Sequence, residues 1–328
     1  MYLKDGIKLL FKKKDLLKSS AKMVAKKENC SVSAAKRRII SDSFNFGSTY
    51  SEYIMFDFFN RTPANKDTFA TTLWLLKTIK KYNPVEYREV FHDKIKFNEK
   101  FKRFLGREYL IIAQSSDEII KNFLEKHERI VLKGSHGCSG KQVKVIDSSD
   151  DKTWELIHSG YYDLIEQFVT NHEVVSKLNP TSLNTLRIVT VHSEKSFNLI
   201  FTGIRIGADG ALLDNVSQGG CCASIDKNTG KINSLFLSDA TCEKEGTQKN
   251  RNEINFQIPL WDETISMIKE AAKLVPEIHI VGWDAAITPD GPILVEGNES
   301  FGAYIMQYYA GLNEPGLKRE MVEALKKI

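Results

Sequence analysis

Apolar residues recur through the first hundred positions at spacings of three and four, the period of a helix with one buried face. Over residues 1–27, Ile7, Leu9, Leu10, Phe11, Leu16, Leu17, Met23 and Val24 alternate with lysines. That pattern fits a basic amphipathic helix lying on an anionic membrane or a partner, and equally a solvated helix packed on its own domain. An aromatic-rich stretch over 44–59 ends at Arg61-Thr62-Pro63. Phe69, Leu73, Leu76 and Ile79 mark one helix face over 66–82, which Asn83-Pro84 stops. Phe97, Phe101 and Phe104 repeat the spacing before Gly106.

Beyond Gly106 the apolar runs shorten. Residues 110–113 read as a strand, and capping-box spacing over 115–118 opens a helix carrying Ile119, Ile120, Phe123 and Leu124. Further strands are expected at 130–133, 164–169, 186–191 and 197–206, with a hairpin over 281–296. Asp262 N-caps a helix that Pro276 stops, and Leu317, Met321, Leu325 and Ile328 line a last amphipathic helix. The expected architecture is α+β: a helical region over 1–92, a first subdomain over 93–162 and a second over 163–328.

Composition narrows the class without naming it. The 328 residues are 42% hydrophobic and 27% charged, the balance of a soluble globular protein, and a net charge of +4 is too small to argue for nucleic acid. Five cysteines, two of them adjacent and none in a metal-binding spacing, do not form a disulfide framework or a structural zinc site. No run approaches the roughly 20 apolar residues of a membrane span, and lysines break every short apolar run near the N-terminus. A reducing, cytoplasmic setting is expected, at the inner membrane face if the lysine-rich helix docks there.

Four constellations carry candidate chemistry. In residues 130–143, a strand delivers Lys133 into a loop containing Ser135, His136, Gly137, Ser139, Gly140 and Lys141 before a second short strand begins. Glycines let backbone N–H groups approach phosphate oxygens, and a strand–loop–strand can close as a flap over a triphosphate. Cys138 within it reads as a small filler. In residues 163–173, Glu166, Gln167, Phe168 and Val169 end a strand, with Glu173 four residues on; backbone there can read an adenine edge and a carboxylate can accept from ribose hydroxyls. In residues 281–298, two apolar strands flank Pro289-Asp290-Gly291. A three-residue loop sets Asp284 opposite Glu296, and the pleat puts Asn298 on the face of Glu296. These hard oxygen donors suit Mg²⁺ shared with phosphates. Finally, Arg187 and Arg205 lie inside apolar strands, where guanidinium needs an anionic partner, either a phosphoryl or carboxylate group of a ligand or a structural acid. Asn184, Asp214, Asn215 and the Gly219-Gly220 turn are candidate substrate contacts beside them.

These strings, in this order, resemble the ATP-grasp superfamily, and most closely its sugar-transfer associated family. The likeness includes residues 92–101, the glycine loop, the 165–173 segment, residues 183–191, the 203–220 run and residues 287–298. It implies two α+β subdomains gripping ATP. Lys133 would contact the α/β-phosphates beneath the loop over 135–141, in which either His136 or Lys141 could also touch phosphate. Glu166, Phe168 and Glu173 would line the adenosine site, Asp284, Glu296 and Asn298 would hold magnesium, and Arg187 and Arg205 would steady the γ-phosphate or an acyl phosphate.

The implied reaction is ATP-dependent activation of a small-molecule carboxylate for attack by an amine, in assembly or modification of a cell-surface polysaccharide. Two readings stand beside it: a kinase phosphorylating a sugar or polyol hydroxyl on the same scaffold, and a nucleotide-binding adaptor of a membrane glycosyltransferase complex, suggested by the basic N-terminus.

Overall fold

The computed structural model describes residues 14–137, 142–212, 214, 219–234, 237–238, 255–307 and 314–328. Cys138, Ser139, Gly140, Lys141 and Asn215 lie outside them.

The N-terminal region is helical, as expected. Helix Lys14–Lys27 buries Ala21, Val24 and Ala25 against helix Val32–Phe46 and the aromatic cluster of Tyr53, Phe56, Phe58, Phe59 and Phe69. Lys18, Lys22 and Lys26, one turn apart, remain exposed. The apolar side that a membrane-lying helix would submerge is therefore spent inside the protein over these residues, which favours the packed alternative. No helix of the described residues is long and apolar enough to cross a membrane.

The helix expected over 66–82 begins later, at Thr72, and runs to Tyr82. The buried carboxylate of Glu52 decides its start: it accepts from the Thr72 backbone N–H (2.9 Å) and hydroxyl (2.8 Å), and also closes a capping box with Thr49 on helix Tyr50–Met55. One acid thus satisfies orphan donors at two helix N-termini. Leu75 and Ile79 of the longer helix point into a core shared with Val189, Ile280 and the C-terminal helix Lys318–Leu325.

Two antiparallel sheets form the body. The smaller has the order β1-β4-β2-β3, from β1 (Tyr109–Ile111), β2 (Arg129–Lys133), β3 (Val143–Asp147) and β4 (Leu164–Gln167). Helix Asp117–Lys126, capped by Ser116, lays Ile120 and Phe123 on it beside Ile130, Leu132 and Ile165. Because β4 pairs with both β1 and β2, strand pairing carries this unit to Gln167, past the division expected between 162 and 163. The larger sheet has the order β10-β9-β5-β6-β7-β8, from β5 (Thr185–His192), β6 (Phe197–Ile206), β7 (Cys221–Ser224), β8 (Leu237–Ser238), β9 (Ile280–Thr288) and β10 (Gly291–Asn298). Helix Trp261–Ala272 and the Phe97–Phe101 segment cover one face in the main core, around Trp283. Cys221 and Cys222 are simply buried strand residues of β7. The opposite face bears Arg187, Asp284 and Glu296; helices Thr72–Tyr82 and Lys318–Leu325 cover part of it over Val189, Val191 and Ile280, and Arg107 links its hairpin strand to the smaller sheet.

Candidate active site between the two sheets

On the smaller sheet a single carboxylate gathers two cations. Glu166 of β4 is 2% exposed; its Oε2 accepts from Lys133 Nζ (2.6 Å) and Arg107 Nε (2.7 Å), and its Oε1 accepts from Asn98 Nδ2 (2.8 Å). Burial alone would raise its pKa, yet Arg107 and Lys133 outweigh burial and hold the carboxyl well below the usual range. Burial pushes Lys133 the other way, down, partly offset by Glu166. The guanidinium of Arg107 is the larger of the two charges that favour ionised Glu166.

Arg107 was not among the residues that sequence patterning singled out, and it ties the two sheets together. Its guanidinium also donates to the carbonyls of Leu294 (2.8 Å) and Val295 (3.3 Å) on β10. Gly106 permits this approach. Its φ is +55°, and a Cβ there would lie 2.2 Å from Ile293 Cγ2. The only local mark was Gly106 next to an arginine ahead of a short strand.

The hairpin register agrees with expectation by a different route. Thr288 pairs with Gly291, so the loop holds two residues, and a bulge at Val295 supplies the missing step that sets Glu296 opposite Asp284. The same bulge bares the carbonyl that Arg107 reads. Asp284 is 4% exposed and accepts from Arg187 Nε (2.7 Å) and Nη2 (3.2 Å), lies 3.1 Å from Arg205 Nη2, and meets Asn298 Nδ2 at 3.4 Å. Arg205 also donates to Thr185 Oγ1 (2.7 Å) and lies 3.5 Å from Asp214, whose carboxylate accepts from the Thr185 backbone (3.0 Å). Burial would lower the Arg205 pKa, but Asp284, Asp214 and Glu296 raise it well above the ordinary value. Glu296 differs from Asp284. It makes no hydrogen bond within the described residues, and burial together with Asp284 raises its pKa against the opposing Lys94, Lys133 and Arg187.

Between the sheets lies an apolar cleft lined by Val131, Val143 and Phe168 on one side and by Leu183 and Val295 on the other, with Lys133, Glu166, Gln167, Val169, Thr185 and Asp214 at its edges. Arg129 stacks 4.2 Å from the Phe168 ring. Gln167 Oε1 is turned toward the Glu108 backbone (3.1 Å).

Several candidates stand apart. Glu173 is exposed, in the first turn of helix Glu173–Ser176, and is absent from the cleft lining. His136 faces Glu89 and Asp93, with its Nδ1 2.9 Å from Ser135 Oγ. Ser135 donates its N–H to Asp163 (2.6 Å), and the Gly137 carbonyl accepts from Lys94 Nζ (3.0 Å). Asn184 is not a cleft residue. Its buried amide is spent on Asn179 O (2.9 Å) and Ser182 Oγ (2.8 Å), an internal network that holds the turn before β5. Gly219 takes φ +93° and, with Gly220, leads into β7. Asn98 and Thr185 join Arg107 as site residues found only by folding.

Compared with known proteins, no curated protein matches the chain in sequence. Among solved structures it is similar to the ADP complex of purK, N5-carboxyaminoimidazole ribonucleotide synthetase, at 10% identity and TM-score 0.42, covering 69% of this chain and 54% of that one. It is similar to the D-alanine-D-alanine ligase from Coxiella burnetii at 9% identity and TM-score 0.39, covering 66% and 50%. The ATP-grasp ligase PsnB, complexed with minimal precursor, Mg and ADP, is similar at 13% identity and TM-score 0.46, covering 80% and 68%. The chain thus spans about half the length of the first two structures. The family match is broader in kind: the sugar-transfer associated ATP-grasp family matches residues 76–324, most of the chain, including both sheets and every residue of the two charge clusters. The chain belongs to the sugar-transfer associated ATP-grasp family.

Proposed function

We propose that the protein uses Mg·ATP to phosphorylate a substrate carboxylate and passes the acyl group to an amine, with cell-surface sugar polymers as the setting that the family's description suggests. One observation carries the reading: two clusters of opposite charge excess lie close together, Lys133, Arg107 and Glu166 lining the cleft, Asp214 reaching it from the other cluster, and Glu296 near enough to Lys133 for their charges to interact. Lys133 and Arg107 exceed Glu166 by one positive charge, whereas Asp284, Glu296 and Asp214 exceed Arg187 and Arg205 by one negative charge. An anion belongs at the first and a cation at the second, and Mg²⁺ bound to nucleotide phosphates supplies both at once.

The residues fit the metal. Among the described residues, the half-buried Glu296 carboxylate meets no hydrogen-bond donor, and Asn298 is engaged through its amide nitrogen on Asp284. These two, with a remaining lone pair of Asp284, would hold the ion, which when bound neutralises phosphate charge. Lys133 would swing from Glu166 to the α/β-phosphates, leaving Arg107 and Asn98 to keep Glu166 satisfied. Ser135, His136, Gly137, Ser139, Gly140 and Lys141 would form the cover over the triphosphate, and the backbone of 166–169 would meet adenine. Arg187 and Arg205 would offer the guanidinium nitrogens not used in the bonds to Asp284 and Thr185.

In the first step a carboxylate oxygen attacks the γ-phosphorus: the new O–P bond forms, the bond to the β-bridging oxygen breaks, and ADP leaves. Both arginines neutralise charge spreading over the transferred group. In the second, an amine nitrogen attacks the acyl carbon, the C–O bond to phosphate breaks, and one proton goes to solvent. Closure over the site protects the acyl phosphate from water.

An ADP-release screen over paired carboxylates and amines tests the reading, with Glu296→Gln as control. Amide plus ADP and phosphate is expected; a stable phosphoester would mean a kinase instead. Equal ATP turnover by the Glu296 variant would defeat the proposal.

A further inference from the structure

Arg187 engages Asp284 through Nε and Nη2, and among the described residues its Nη1 makes no hydrogen bond. What lies beside that nitrogen is decided on the neighbouring strand. Gly282 of β9 pairs with Val189 and Asn298 and stands two residues from Asp284, hence on the same face of the sheet. A Cβ on Gly282 would lie 3.0 Å from Cδ1 and 3.1 Å from Cγ of Phe301, and 3.3 Å from Arg187 Nη1. The phenyl ring and the open end of the guanidinium therefore converge on the space that a side chain would fill.

Phe301 is half-buried, and the segment that carries it is held on both sides. Before it, Glu299 is buried; its carboxylate lies 2.7 Å from His92 Nε2 and 3.7 Å from Arg88 Nε, and its carbonyl accepts from Asn83 Nδ2 (3.2 Å). Asn83 also donates to the Ile280 carbonyl (2.8 Å) and accepts from the Ile280 N–H (2.9 Å), so one amide joins the start of β9 to the residue after β10. After it, Ala303 is buried and its carbonyl accepts from Gln307 Nε2 (3.4 Å), while Gln307 Oε1 accepts from the Ala70 N–H (2.8 Å). Ala70, Asn83, Arg88 and His92 all belong to the N-terminal helical region.

Resting on the reading that Arg187 steadies the transferred phosphoryl group, we infer that Phe301 is a positioning residue whose ring backs Arg187 Nη1 in the gap left by Gly282. A guanidinium held by Asp284 at two nitrogens can still rock about that clamp. An apolar wall beside the third nitrogen removes this freedom before the nucleotide arrives. The helical region thereby acts on the site through its hold on residues 299–303.

Titration calorimetry with two probes, Mg·ADP and Mg·ADP–beryllium fluoride, separates this role from general support of the site, because only the second mimics the γ-phosphoryl group. Phe301→Ala is expected to weaken the beryllium fluoride complex roughly tenfold and to leave Mg·ADP binding within about twofold. In an Arg187→Lys background the same change should cost little more, since a residue acting through the arginine then has nothing to act on. Gly282→Ala presses on the same contact from the sheet; it should reproduce the selective loss, and it decides the matter if Phe301→Ala does not fold. Equal loss for both probes overturns the assignment, as does the same loss with and without Arg187, or unchanged binding in both variants. A parent that binds the two probes alike defeats the placement of Arg187 at the phosphoryl group, and the role of Phe301 with it.

Discussion

The two charge clusters, one lining the cleft and one reaching it through Asp214, solve the burial of ionised groups in opposite ways. Around Glu166, one carboxylate is over-supplied with donors: a lysine, an arginine and an amide converge on two oxygens. Around Asp284, two arginines are over-supplied with carboxylates, and the surplus falls on Glu296, the one acid of the group with no hydrogen bond within the described residues. In the first cluster a cation can leave without orphaning its partner. In the second, Glu296 is the acid that the proposed function assigns to a cation. The lesson is that stability and ligand readiness are assigned to different residues, Arg107 and Asp284 for the former, Lys133 and Glu296 for the latter.

Removing Asp284 should have the largest effect. Asp284→Ala leaves Arg187 and Arg205 buried without their shared acid, and a loss of about 3–5 kcal/mol in urea unfolding is expected, together with loss of ATP turnover. A variant of parental stability would mean that the arginines find other partners. Next comes Arg107→Met, which frees Glu166 on one side and the β10 carbonyls on the other; a loss of about 3 kcal/mol is expected. Lys133→Met should part company with it, since Arg107 and Asn98 still hold Glu166. Its stability should fall by no more than about 1 kcal/mol, while a non-hydrolysable ATP analogue binds at least tenfold more weakly by titration calorimetry. Equal destabilisation by the two substitutions would erase the contrast between anchor and ligand.

The last effect has the opposite sign. Glu296 has a raised native pKa, so the folded protein binds its proton more tightly than the unfolded chain does. The stability that protonation confers is present below the unfolded value of about 4.3 and is lost as pH rises through the raised native value. Glu296→Gln should therefore stabilise the metal-free protein at neutral pH by about 0.5–2 kcal/mol and bring no gain under acid, as read by melting curves across pH. Magnesium competes with the same proton, so its apparent affinity for the nucleotide-loaded parent should climb with pH through that window. A flat profile would remove Glu296 from the metal site.

Much of this cleft was legible along the chain, for reasons that differ by residue. Lys133 stands at the end of an apolar strand before a run of glycines, and Asp284 and Glu296 interrupt apolar strands around a Pro-Asp-Gly turn; each departs from local texture. The hairpin pairing was right although its loop was taken one residue too long, because the bulge at Val295 restores the register. Asn184 is ambiguous in sequence, since a polar residue before an apolar strand looks the same whether it faces a ligand or, as its hydrogen bonds here do, holds a buried turn. Arg107 left no mark beyond the glycine before it, because its partners come from residues 59 and 187 to 188 positions away.

Taken alone, the chain determined which elements form and which side of each strand its charged residues occupy, since both follow from periods of 3.6 and 2 written within short windows. Tertiary structure decided which charges meet. Arg187 and Asp284 are 97 residues apart, and only the neighbouring of β5 and β9 makes them one ion pair. Electrostatic energy depends on distance and burial, and both are set by how separate elements pack rather than by any element's own sequence.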